Sequence, residues 1–492
     1  MEDLFYRGLI ALVISIFLFF RVKYRYEEET GLGIEQSKNQ KYLPYIPGGI
    51  LVGVVLGRIL YVWMQYGIVE ARSEMISICF EMFLHITMYY VVLLLTFSVF
   101  RKWMNARACA TLWMLPNALY ILFNGTTPLQ KPLWIMKFPG DSVEIVFAIW
   151  FIGFMMVLFR GIVLHMKFRF AVLKKAKKVE SEEILALWNE EIANAMMHYK
   201  EYPLMVSENV KTPFSIGLFR SAICVILPEQ EYSKEELTLI FRHELIHIGR
   251  EDSWNKFMIL FCTAMCWWNP MMWIAMEKNA EDLELSCDET VLLGADDSTR
   301  RRYAKLLLHT AGDESGFSTC LSSKAKVLKY RLENIVKPRV RNSGAFALAV
   351  TLFVLCISCG HISLAYGEYT GKEVVYHSED VNRYEIKSLY FTGTDPMNSV
   401  VLQCTDEALF HKYIAGLKVQ KMTGDYTFTD SSKMLKFVYE TTDGDLFVEL
   451  TDETIRILSQ DNDFGEWYTY SLSEKVDWEY LESILELDRK PI

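Results

Sequence analysis

From Ser233 to Asp252 the chain reads S-K-E-E-L-T-L-I-F-R-H-E-L-I-H-I-G-R-E-D, and its chemistry centres on His243, Glu244 and His247. Histidines four apart fall one turn apart on one face of a helix, where both imidazoles can grip a single metal ion. A glutamate beside the first can take a proton from an attacking water, so the triplet suits metal-assisted hydrolysis of a peptide bond. Two imidazoles leave a zinc site one protein ligand short. The acidic stretch E-D-L-E-L-S-C-D, residues 281–288, can supply it. On a helix Glu284 and Asp288 share a face, Glu284 as ligand and Asp288 as the acceptor that fixes a ligand imidazole's tautomer. Spacing alone leaves Glu281 and Asp282 open as the ligand instead.

Local pattern gives the elements that must hold these groups. Ser233 with Glu236 is a capping box, and Leu237, Ile240, Phe241, Leu245 and Ile248 recur at helical spacing until Gly249 weakens the helix. Upstream, residues 181–197 read as a helix, and 203–206 and 222–227 as strands. An exposed edge of such a sheet can add a peptide substrate through backbone hydrogen bonds. Residues 257–276 are apolar and long enough to cross a bilayer, yet they separate His247 from Glu284. One crossing would put the two on opposite faces. The run is therefore expected to be a re-entrant or membrane-apposed hairpin, broken near Asn269-Pro270 where proline removes a backbone donor. Residues 298–312 and 324–336 read as further helices with solvated or lipid-facing basic surfaces.

His243-Glu-Leu-Ile-His247, followed by Arg250 and Asp252, Trp268-Asn-Pro270 and Glu284-Leu-Ser-Cys-Asp288, resembles the BlaR/MecR-type membrane metallopeptidases. These are the signal-transducing antirepressor proteases of inducible beta-lactam resistance. Thr212-Pro-Phe-Ser-Ile-Gly217 and Ile226-Leu-Pro228 look like that family's strand ahead of the active-site helix. The resemblance, over about residues 80–365, implies a gluzincin arrangement with Glu284 as third zinc ligand. It also implies a cytoplasmic repressor-type protein, and the chain itself, as substrates. The family's beta-lactam sensors carry an external penicillin-binding domain. Here residues 366–492 are too few for one, and the single S-x-x-K of note, Ser323 to Lys326, has no K-T-G after it. The external ligand stays unassigned.

With 492 residues, 51% of them apolar, and a positive mean hydropathy, the chain exceeds one domain and points to membrane embedding. Apolar runs at 4–20, 45–64, 76–100, 109–123, 143–159 and 345–365 read as spans. Arg58, Glu81, His85 and Glu144 lie in or beside them and are expected to face the bundle interior. Basic groups at 21–41, 101–107, 160–178 and 337–341 all fall on one side, which the positive-inside rule makes cytoplasmic. The histidine helix then lies inside, and the N-terminus and C-terminal domain outside. Residues 366–492 hold 12 Lys+Arg against 25 Asp+Glu, so that domain is acidic, and no basic module for nucleic acid is present. It holds one cysteine, Cys404, and so folds without an internal disulfide.

These readings give a multi-pass α-helical membrane protein with five spans in residues 1–165. A cytoplasmic α+β zinc metallopeptidase core of gluzincin-like type follows over 166–341. A further span at 343–365 leads to a small extracytoplasmic α+β domain, 366–492. The expected activity is that of a sensor-transducer in which an external signal governs zinc-dependent proteolysis. Zinc would sit on His243, His247 and Glu284, with Glu244 as base and Asp288 behind. A housekeeping membrane protease, or a receptor keeping the site as a structural metal clamp, are the alternatives.

Overall fold

The computed structural model describes residues 2–31, 67–119, 134–195, 201–310, 325–337, 341–358 and 362–487. Within these ranges 141, 380–382, 393–398, 424–432, 442–443 and 460–466 are excepted, and residue 132 and scattered positions at 53–64 are added. Helices α1 (Glu2–Gly31) and α2 (Ile68–Trp103) come first. They are followed by the short α3 (Ala106–Met114), strand β1 (Trp134–Lys137) and helix α4 (Ser142–Leu173). Three apolar segments, Phe5–Glu27, Cys79–Trp103 and Ser142–Leu173, have 23, 25 and 32 residues. At about 1.5 Å per residue each is long enough for a hydrocarbon layer of about 30 Å. Of the expected span at 45–64, only scattered positions from 53 to 64 fall among the described residues. The run at 109–123 departs from expectation in its described part. There α3 has nine residues, all buried, and ends in a 3-10 turn at Leu115–Ala118. Its apolar character serves packing inside the protein rather than contact with lipid.

Beyond α4 come β2 (Lys177–Lys178), α5 (Glu182–Asn194), β3 (Leu204–Ser207), β4 (Phe214–Ile216) and β5 (Cys224–Pro228). They form a sheet in the order β2-β3-β5-β4, with β3 and β5 parallel and β4 antiparallel to β5. Of the two edges, β4 is buried, whereas the short β2 is exposed. Phe168 and Val172 at the end of α4 pack with Phe214 and Ile216, and Arg169 donates to the Ile216 and Ala222 carbonyls. Helix α6 (Lys234–Gly249) starts at the anticipated capping box, with Ser233 and Glu236 each holding the other's backbone N–H.

The apolar run at 257–276 is a hairpin of α7 (Asp252–Met265) and α8 (Pro270–Val291). Asn269 caps α8 through the Met271 N–H, and Pro270 occupies the first turn, where a missing N–H costs nothing. The hairpin's tip is driven deep between α2 and α4. Trp150, two turns into α4, donates to the Met265 carbonyl at 2.7 Å, and Asn269 donates to Thr87 of α2 at 2.7 Å. Two glycines permit this approach, since a Cβ at Gly153 would come within 2.2 Å of the Trp267 ring and one at Gly161 within 2.7 Å of Leu260. The hairpin returns to its own side, so α6 and the far end of α8 share one end of the bundle.

The chain continues through α9 (Asp297–Thr310), α10 (Ala325–Val336) and α11 (Ala345–Ser358). α11 is shorter than the expected span to Ala365, because Ile362–Thr370 forms strand β6 and belongs to the C-terminal unit. β6 pairs in parallel with β1, from the segment ahead of α4, and antiparallel with β9 (Lys418–Met422). The ten-stranded sheet is completed by β7 (Glu385–Thr392), β8 (Ser399–Cys404), β10 (Met434–Thr441), β11 (Gly444–Thr451), β12 (Thr454–Ser459), β13 (Trp467–Leu472) and β14 (Leu485–Leu487). The alternating apolar stretches at 388–392, 400–404, 435–440, 446–450 and 454–458, which read as strands in the sequence, lie within β7, β8, β10, β11 and β12, each one to three residues longer; β1, β6, β9, β13 and β14 were not anticipated.

The two units occupy opposite ends of the helical layer. At one end Tyr26 of α1 donates to the Arg341 carbonyl, Met104 bridges to Asn342, and α4 meets β4. At the other, the Phe138 N–H donates to Ala365, the Gly367 N–H to Gly140, and the Ile362 N–H to the Glu81 carboxylate. Glu81 is buried as expected of a charge within a span, and His85 lies 2.8 Å from the Ser358 carbonyl. The basic groups around 21–25, 101–107 and 167–178 all sit at the α6 end.

Candidate metal centre

α6 buries Leu237, Ile240, Phe241, Leu245 and Ile248 against α5 and the sheet, with Phe241 stacked edge-on to Trp188. That packing turns His243, Glu244 and His247 toward α8, where Glu284 faces them. The four side chains are no more than 3% exposed. His243 Nε2 and His247 Nε2 are 3.1 Å apart, and Glu284 oxygens lie 3.6 and 3.7 Å from them. Ligand atoms about 2.0–2.1 Å from a tetrahedral zinc stand about 3.3 Å from one another, so this triangle matches the edge of such a site. Among the described residues neither buried Glu284 oxygen has a hydrogen-bond donor in bonding geometry, which suits a carboxylate meant for a cation. The donor set fits a zinc-like ion.

The other ring nitrogens settle which tautomer is presented. His247 Nδ1 is 2.7 Å from Asp252, at hydrogen-bonding distance, while the Asp288 oxygen is 3.7 Å from His243 Nδ1, beyond it. The anticipated role of Asp288 is thus corrected. It reaches His243 only through the Tyr303 hydroxyl, which donates to Asp288 at 2.7 Å and lies 2.9 Å from His243 Nδ1. The carboxylate that directly orients a ligand imidazole is Asp252. Glu251 makes this possible by taking a left-handed φ of 58°, which breaks α6 from α7 and swings Asp252 back over His247.

Of the other ligand candidates, Asp282 is engaged elsewhere, accepting from Arg101 at 2.6 Å and from the Trp113 indole at 2.9 Å. Glu281 pairs with Lys278. A second cluster of His247, Asp252 and Cys287 shares one imidazole with the first. Its 2.7 Å nitrogen–oxygen contact is too short for two ligands of one ion, and the Arg250 guanidinium lies 3.9 Å from the thiol. It reads as support for His247.

Electrostatics follow from burial and these contacts. Burial raises the Glu244 carboxyl above the usual carboxylate range, with His243 and His247 partly offsetting it. Ser215 of β4 hydrogen-bonds the same carboxylate, and its other oxygen is free. Burial acts against ionisation of Glu284, but His247, the neighbouring His243 imidazole and the Arg331 guanidinium hold it well below that range. Burial alone would lower His247, yet Cys287, Glu284 and Asp252 raise it well above the ordinary imidazole value.

Sequence reasoning missed Tyr303 and Arg331. Tyr303 belongs to α9, whose R-R-R cluster dominates its pattern; its only signal is helical spacing with the buried Leu306 and Leu307. Arg331 sits in the Lys-rich α10, yet is 1% exposed and donates to Asp288 through two of its nitrogens.

Residues 124–335 match the family model described as BlaR1 peptidase M56, a stretch that includes every residue of this centre. The chain is also 24% identical over 216 residues to the regulatory protein BlaR1 of Bacillus licheniformis, covering 43% of this chain and 36% of that protein. It is 27% identical over 177 residues to the methicillin resistance mecR1 protein of Staphylococcus aureus, covering 34% and 28%. The mecR1 protein of Staphylococcus epidermidis matches to the same extent. The matches thus span about a third of the relatives' own length. On these matches, residues 124–335 are similar to the peptidase portion of the BlaR/MecR-type membrane metallopeptidases.

Proposed function

We propose that the chain is a zinc-dependent endopeptidase of the gluzincin kind, whose active site faces the cytoplasm and answers to a ligand outside. The observation that carries this is the convergence of the two Nε2 atoms, 3.1 Å apart, on Glu284, whose two oxygens lie 3.6 and 3.7 Å from them, backed by imidazoles whose other nitrogens are already engaged. His243, His247 and Glu284 would hold the ion, which when bound polarises the scissile carbonyl and acidifies water. Glu244 takes the proton from the attacking water on its free oxygen and passes it to the leaving nitrogen. Its raised pKa suits a group that must both accept and return a proton. Asp252 keeps the His247 proton on Nδ1 and so leaves Nε2 as donor atom.

The cytoplasmic assignment is supported by the basic groups gathered at the metal end of the helices. The acidic β-rich unit at the other end is then the sensor, and its ligand is unassigned. Names given to the relatives, a regulatory protein and resistance proteins, favour a regulated substrate over bulk turnover. The substrates proposed are a cytoplasmic repressor-type protein and the chain itself, with the bilayer as host and no direct nucleic-acid contact. The test is proteomics of a strain carrying Glu244→Gln beside its parent. One regulator should persist uncleaved in the variant, and identical cleavage patterns in both strains would end the proposal.

A further inference from the structure

We propose that Tyr303 and Arg331 are positioning residues of the metal centre, joined through Asp288 into one relay that orients His243 and braces Glu284. This rests on the metallopeptidase reading and extends it to two helices outside the histidine motif. Tyr303 spends its only proton on Asp288 at 2.7 Å, so toward His243 Nδ1, 2.9 Å away, its oxygen acts as acceptor. His243 therefore carries its proton on Nδ1, and Nε2 is left to face His247 and Glu284. Asp288 cannot do this alone from 3.7 Å.

Arg331 fixes the other end of the relay. Its Nε and one terminal nitrogen donate to the two Asp288 oxygens at 2.6 Å each, and the second terminal nitrogen lies 3.4 Å from Glu284. That nitrogen is buried with no hydrogen-bond acceptor of its own among the described residues, so Glu284 is the anion it faces. Glu284 and Asp288 are like charges one turn apart on α8, and a guanidinium between them sets their separation. A lysine could not span both. Arg331 also ties the ligand set to the rest of the chain. Asn334, one turn on in α10, accepts from Arg341 at 2.7 Å, and Arg341 pairs with Glu289 of α8 at 2.7 Å just ahead of α11. The ligand geometry thus depends on how α9 and α10 dock, and α11 links that docking to the C-terminal unit.

The experiment uses the full chain in detergent, with Tyr303→Phe, Arg331→Lys and Glu244→Gln beside the parent. Zinc affinity is read by competition with a chromophoric chelator, and geometry by the visible spectrum of the cobalt-substituted protein. Tyr303→Phe, which removes a single oxygen, and Arg331→Lys should each weaken zinc binding roughly 10–100-fold and alter the cobalt spectrum. Glu244→Gln should bind both metals as the parent does. Parental affinity and spectrum in Tyr303→Phe would overturn the relay whatever becomes of Arg331→Lys. A parent that binds no zinc would instead defeat the underlying metallopeptidase reading, and the relay with it.

Discussion

Replacing Asp252 probes the centre at its best-defined supporting contact. The carboxylate lies 2.7 Å from His247 Nδ1, is 1% exposed, and is itself held by Asn255 at 3.2 Å. Asp252→Asn keeps the shape and can still offer an oxygen to Nδ1, so it removes the charge alone. Asp252→Ala removes the contact and frees the ring to rotate. Losing such a partner weakens metal binding about 10–100-fold, or about 1.4–2.8 kcal/mol. The asparagine variant should fall at the lower end of that range and the alanine variant at the upper. Chelator competition on the purified full chain measures both, and melting of the metal-free proteins separates an affinity loss from unfolding. Peptidase activity should return in part at saturating zinc, because Glu244 and all three ligands are intact. Unchanged affinity in Asp252→Ala would refute the claim that this carboxylate sets the His247 tautomer.

Other consequences of the structure can be checked as directly. Gly153→Leu should drive the Trp267 indole from α4 and cost about 1–3 kcal/mol by overpacking, seen as a lower melting temperature in detergent; an unchanged melt would disprove the close approach. Acidic neighbours hold a proton on His247 above the ordinary imidazole range, and the metal must displace it. Zinc affinity should therefore be weak below that raised pKa and climb as pH rises toward it, with proton release in weak buffer; affinity flat from pH 6 to 8 would count against this. A cysteine at the exposed Lys387 of β7 should react with an impermeant maleimide on intact cells, whereas one at Lys234 of α6 should react only after lysis. Labelling of both from outside would reverse the proposed orientation.

Much of the centre is legible in the sequence because it obeys local rules. A capping box and a 3.6-residue apolar period place His243 and His247 on one helical face without any tertiary information. The Asn269-Pro270 break similarly exposes the hairpin that returns Glu284 to the side of the histidines. What stays hidden depends on contacts between distant segments. Asp252 displaces Asp288 as the orienting carboxylate because Glu251 adopts a left-handed turn, and no spacing rule shows that. Arg331 looks solvated among its lysines until α10 docks on α8. The buried edge of β4 is hidden for the same reason, since its cover comes from Phe168, Arg169 and Val172 at the end of another helix. The apolar run at 109–123 misleads because hydropathy cannot tell a lipid-facing helix from one packed inside protein. In the C-terminal unit, β9 reads K-V-Q-K-M, too short and polar to stand out before its neighbours are known.

The central claim is that two imidazoles of α6 and one carboxylate of α8 hold a single ion. X-ray absorption at the zinc edge, on the full chain loaded with one equivalent, tests it most directly. The expected spectrum shows nitrogen and oxygen neighbours at about 2.0–2.1 Å, with the outer-shell signature of two imidazoles and no sulfur. A sulfur neighbour at about 2.3 Å would move the ion to Cys287 and contradict the assignment of Glu284.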